Sequence, residues 1–222
     1  MKQTRQEVSG KKISARELFS SPRFYIALTP HIFSLFLIFS NNLGYFYVFF
    51  IFYLELIVDN FILSFSVLFT KKEEVQEMYK SNWPKTFLAL RSFLGGLAIC
   101  LLYGFFATVF IFIGTEGISI KDVIANNTVL LAAGVYAITK LLNLGINIFR
   151  YKTGQQLRID DGKTFVINLL TLVIFTVPGI HILLFLRVFI ENIQLIAIIL
   201  LFIIKAYIDS AFAVSSKKVI IS

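Results

Sequence analysis

Apolar runs about as long as a bilayer crossing fill most of this chain, and they constrain its fold more than any other feature. The runs FYIALTPHIFSLFLIFS and YFYVFFIFYLELIVDNFILSFSVLFT are continuous blocks, not stripes on polar helices. About 20 apolar residues cross the hydrocarbon core as an α-helix, which keeps every backbone N–H and C=O bonded within the segment. With 57% hydrophobic and 15% charged residues among 222, the chain has more apolar surface than a soluble domain of this size hides. The expected fold is an all-α, polytopic membrane bundle with the lipid bilayer as its solvent.

Six spans are expected: Phe24–Ser40, Tyr45–Thr70, Ser92–Gly114, Thr128–Phe149, Thr164–Leu186 and Asn192–Ala213. The first is short and contains Pro30 and His31, and Asn41-Asn42-Leu43-Gly44 supplies a turn after it. One long bent helix in place of the first two would leave five spans. The basic residues decide between these counts. Lys2, Arg5, Lys11, Lys12, Arg16 and Arg23 precede span one. Lys71, Lys72, Lys80, Lys85 and Arg91 follow span two; Arg150, Lys152, Arg158 and Lys163 follow span four; Lys217 and Lys218 lie in the tail. The loop after span three holds only Lys121, and the turn after span five only Arg187. Six spans collect the basic groups on one side, which places both termini in the cytoplasm. The domain reading is a cytoplasmic arm over 1–23, a single transmembrane domain over 24–213 and a cytoplasmic tail over 214–222.

Between spans, Ser14-Ala15-Arg16-Glu17 fits a capping box and predicts a short interfacial helix. Lys71–Lys80 reads as a helical extension or connector, with Trp83 and Pro84 marking re-entry. Ile118, Ile120, Val123 and Ile124 suit the outer interface, and Pro178-Gly179 is expected to kink or break span five. Arg187 and Glu191 read as an interfacial ion pair. The polar opening stretch does not read as a cleavable signal. The expected location is the cell membrane.

Charged residues inside the spans mark the candidate site. Glu55 and Asp59 lie one helical turn apart in span two, with Asn60 beside them. Span four carries Tyr136, Lys140, Asn143 and Asn147 along one stripe, and span six carries Lys205 and Asp209 at i,i+4. A charge near the bilayer centre costs roughly 2.5–3.5 kcal/mol on translocon scales, so these groups are expected to meet. Two readings stay open: a structural polar core that fixes helix register, or a path for protons, ions or a small solute. Glu55 and Asp59 could also form a carboxylate pair for acid–base chemistry, although Lys140 nearby favours charge compensation.

Span three carries Gly96, Cys100, Gly104 and Thr108 at spacing four, a small-residue ladder that admits a close neighbour. Bundle packing is its expected use; association with a second copy or a membrane partner is the alternative. Cys100 is the single cysteine, which excludes an internal disulfide. His31 and His181 lack metal-ligand partners at i+3 or i+4, so neither a metal site nor a cofactor is expected. No zincin, nucleophile-elbow or phosphate-loop pattern occurs. The net charge of +8 sits beside apolar runs without a recognition module, which argues against nucleic acid.

Several short segments resemble motifs of a bacterial and archaeal family of multi-pass membrane proteins of unknown function. Phe52-Tyr53-Leu54-Glu55-Leu56 is similar to its Tyr-Trp-x-Glu-Asn motif but lacks the Asn. Phe93-Leu94-Gly95-Gly96-Leu97 and Leu142-Asn143-Leu144-Gly145 resemble a His-Tyr-Gly-Gly-Phe and a Ser-His-Gly motif without their histidines, and Leu101 stands where a further histidine would fall. Lys205-Ala206-Tyr207-Ile208-Asp209 matches a final Lys-x-x-x-Asp. The family pattern implies a membrane histidine cluster, which this chain lacks. The resemblance therefore implies a membrane fold and no activity. A small transporter or channel-like protein is the preferred specific function, ahead of a non-catalytic assembly or scaffold component, with an enzyme last.

Overall fold

The computed structural model describes residues 15–41, 43–114, 120–152, 165–174 and 193–215. Its helices are α1 (Ala15–Phe19), α2 (Pro22–Ser40), α3 (Tyr45–Phe69), α4 (Lys72–Tyr79), α5 (Lys85–Gly114), α6 (Ile120–Ile124), α7 (Asn127–Lys152), α8 (Phe165–Ile174) and α9 (Ile193–Ser215). The described residues are helical and contain no strand. Among them, α2, α3, α5 and α7 are each long and apolar enough to cross a membrane, as an integral membrane protein requires. Pro178, Gly179, His181, Arg187 and Glu191 lie outside the described residues, as does Asn42.

Local chemistry accounts for both ends of α2. Pro22 opens α2, where its missing N–H is one the helix leaves unpaired in any case. Pro30 lies inside α2 without breaking it. Asn41 closes the helix: its backbone N–H and its Nδ2 both donate to Leu37 O, at 3.1 and 2.9 Å. The chain then turns into α3, so the long bent helix does not form. The short helix expected from the capping box is α1, whose Leu18 packs with Phe24 and Leu28.

The helical connector expected over Lys71–Lys80 is α4, and the next span starts earlier than expected. Helix α5 begins at Lys85 rather than Ser92, and α4 folds back so that Val75 meets Val67, Leu88 and Ala89. Lys85 Nζ donates to Leu68 O at 3.1 Å and Thr70 O at 2.8 Å, satisfying carbonyls at the open end of α3. Val123, expected at the outer interface, is fully buried in the main apolar core through the short α6.

Helix α3 is central. Its span is 56% buried, against 22% for α5 and for α7. It packs against α5, α7 and α9, and α2 packs against α9 and α7. The outer surface carries large apolar side chains, among them Phe36, Leu101, Phe105, Leu142, Phe149 and Ile203. Lipid tails suit such a surface and water does not.

The small-residue ladder of α5 lies against α3. A Cβ on Gly96 would overlap the side-chain amide of Asn60, and one on Gly104 would stand 2.5 Å from the Tyr53 hydroxyl oxygen. Tyr53 also donates to Cys100 O at 3.2 Å, and Asn60 Nδ2 donates to Phe93 O at 3.1 Å. Gly96 and Gly104 are therefore covered by side chains of α3. Thr108 continues α5, with its side chain outside the described ones.

Candidate functional site

Each helix around the centre places its polar groups on its own buried stripe. On α9, Ile198, Leu201, Phe202, Lys205 and Asp209 recur at spacings of three and four, and all are buried. On α7 the same spacing joins Val129, Ala132, Tyr136 and Lys140; on α8 it joins Phe165, Asn168 and Leu172. Glu55 and Asp59 share one face of α3, and His31 shares a face of α2 with Ser34. Apolar packing that orients these helices also turns their polar side chains inward, to one place. Glu55 lies roughly 15 Å along α3 from Tyr45, at 1.5 Å per residue, near the middle of the helix.

The groups meet as a network from five helices. Lys140 Nζ stands 2.8 Å from Asp59 Oδ1. Asp59 also accepts from the Tyr136 hydroxyl, which lies 2.9 and 3.0 Å from its two oxygens, and from Asn168 Nδ2 at 2.7 Å. Asp209 accepts from Lys205 Nζ at 2.7 Å and from His31 Nε2 at 2.9 Å, both on Oδ2, with Asn168 Nδ2 3.3 Å from Oδ1. Asn168 thus bridges the two aspartates. Lys205 Nζ also stands 3.3 Å from Glu55 Oε2. That contact lacks hydrogen-bond geometry, and among the described residues neither oxygen of the fully buried Glu55 has a hydrogen-bond partner.

Aromatic faces complete the surroundings of the cations. Lys140 Nζ lies 4.9 Å and Lys205 Nζ 5.2 Å from the centre of the Tyr136 ring, and Lys205 is 5.8 Å from that of Phe52. The Phe52 ring in turn packs on Phe202 at 4.8 Å, tying α3 to α9 beside the cluster. Lys140 is the outermost member, with its side chain 22% exposed, while those of Glu55, Lys205 and Asp209 are 4% or less.

The structure brings together Glu55, Asp59, Tyr136, Lys140, Lys205 and Asp209. It does not bring the rest of the expected polar set. Asn60 follows Asp59 by one residue, about 100° around the helix, so it faces α5 instead. Asn143 and Asn147 are half-buried farther along α7 and join no hydrogen bond of the network. Two members escaped the sequence reading, His31 and Asn168. Each is a single polar residue in an apolar run, and their positions on the inward stripes of α2 and α8 are the signal that would have found them.

Chemically, the network offers anionic, cationic and neutral hydrogen-bonding groups in an apolar enclosure. Among the described residues, no three His, Cys, Asp or Glu side chains form a metal-ligand set. No known protein family matches the chain, and no curated protein or solved structure matches it either. The short motif likeness to the uncharacterised membrane family therefore adds nothing to the reading of these residues.

Proposed function

We propose that this chain is a six-span protein of the plasma membrane with both termini cytoplasmic, and that its buried charge cluster is the working site of a small transporter or channel-like protein for protons, ions or a small solute. The distribution of basic residues supports the topology. One observation carries the function: Glu55 is buried near the middle of α3, beside two fully bonded aspartates, without a hydrogen bond of its own among the described residues. A residue that only fixed helix register would gain from being bonded as its neighbours are. Ionisable groups within spans commonly line substrate and ion paths, where a partner is exchanged during the cycle.

Flux measured in liposomes tests this reading. Protein with Glu55→Gln folds and inserts but changes proton or monovalent-cation flux relative to wild type. Equal flux in wild type, variant and empty vesicles rejects it.

The dense bonding of Asp59 favours a second reading. One carboxylate that receives Lys140, Tyr136 and Asn168 has the satisfied geometry of a polar core that specifies helix register. On that reading the protein is a structural member of a membrane assembly, and Glu55→Gln leaves every flux unchanged.

A further inference from the structure

We infer that Glu55 is held as a neutral carboxylic acid and that its proton is the one this cluster exchanges. The inference deepens the transport reading, on which it rests only for naming the proton as cargo. A count of donors and charges carries it. Asp59 and Asp209 each receive several donors and an ammonium at 2.8 and 2.7 Å, the environment of ionised, acceptor-only carboxylates. Tyr136 has a single hydroxyl proton, and the shorter distances give it to Asp59 rather than to Asp209 at 3.4 Å.

His31 turns its Nε2 to Asp209 Oδ2 at 2.9 Å and not to Glu55. Lys140 stands against Asp59, and Lys205 stands closer to Asp209 than to Glu55, at 2.7 Å against 3.3 Å. Among the described residues, Lys205 is thus the cation nearest Glu55, and it is already committed to Asp209.

The other groups around Glu55 do not change the count. Helix α2 contributes His31, α7 contributes Tyr136 and Lys140, and α9 contributes Lys205 and Asp209. Helix α3 itself adds Asp59 and Tyr53, α5 adds Cys100 and Tyr103 on the side toward α3, and α8 brings the non-titrating Asn168. Among the described residues these groups add no lysine or arginine to Lys140 and Lys205. An ionised Glu55 would thus be a buried charge without a hydrogen bond, beside an ammonium that already serves Asp209, which costs far more than a neutral acid at the same place. When the acid releases its proton, the carboxyl O–H bond breaks and the proton passes to water. The electron pair stays on Glu55, facing the Lys205 ammonium 3.3 Å away, and Lys205 must then serve both Asp209 and Glu55.

Infrared spectroscopy of the full chain in lipid tests this. Wild-type protein at neutral pH shows the carbonyl stretch of a protonated carboxylic acid, and the band disappears on raising the pH. Carboxyl-¹³C glutamate shifts the band and carboxyl-¹³C aspartate does not; this arm needs no variant. In Glu55→Gln the band is lost. Absence of the band at neutral pH, a band that follows the aspartate label, or one that survives in Glu55→Gln overturns the assignment. A band without flux supports the assignment and rejects the transport reading. Flux without a band overturns the assignment and leaves transport standing.

Discussion

Replacing Gly96 with alanine places a methyl group where the side-chain amide of Asn60 sits, whereas the same change at Gly95 meets nothing within 4 Å. The two residues are neighbours on α5, but Gly96 is buried against α3 and Gly95 is exposed. Overpacking of this kind costs about 1–3 kcal/mol. Asn60 can escape only by giving up its bond to Phe93 O, a further loss of about 1 kcal/mol. Exchanging Gly for Ala inside a helix returns about 0.5–1 kcal/mol in both variants. Gly96→Ala is therefore destabilised by about 2 kcal/mol, since overpacking and the lost bond exceed the helix gain. Gly95→Ala is unchanged or more stable by up to about 1 kcal/mol. Equilibrium unfolding in mixed micelles, with lipid and detergent held constant, measures both. Adding Asn60→Ala to Gly96→Ala removes the obstructing amide, so the pair costs less than the sum of the single changes. Equal stability of the two glycine variants, or additive costs in the double variant, refutes the packing argument.

Lys140→Met leaves Asp59 with Tyr136 and Asn168 but without its cation, and lowers unfolding stability by about 2 kcal/mol; partial exposure of Lys140 keeps this below the full cost of breaking a buried pair. Combining it with Asp59→Asn recovers about 1 kcal/mol, read as a coupling in the same unfolding assay. Lys85→Met strips Leu68 O and Thr70 O of their donor and costs about 1–2 kcal/mol. Hydrogen exchange then rises over 66–90 and stays unchanged in α2 and α9; a uniform rise would contradict the local capping role.

How much of this was legible can be argued from particular residues. The runs around Tyr45–Phe69 and Asn127–Lys152 announced helices because lipid permits no other unpaired backbone, and their ends differ from expectation by only a few residues. Helix α5 is the exception. Lys85 and Arg91 are polar enough to read as loop, yet Lys85 is drawn into the helix start by carbonyls of α3 that no local pattern reveals. The i,i+4 contact of Lys205 with Asp209 was readable from spacing alone. His31 was visible only as a lone polar residue, and its bond to Asp209 spans 178 positions of sequence.

The sequence by itself determined that the chain is helical, that its outer surface is apolar and that its intramembrane charges needed company. These follow from composition, residue spacing and the cost of a bare charge in hydrocarbon, which hold whichever helices are neighbours. Only the tertiary structure decided which charges of different helices meet: Lys140 with Asp59, Lys205 with Glu55 at 3.3 Å, and Glu55 without a hydrogen bond among the described residues. It also turned Asn60 toward α5 and brought in Asn168. Pairing between helices depends on the rotation and depth of each one in the bundle, and those are set by the packing of side chains far apart in the chain.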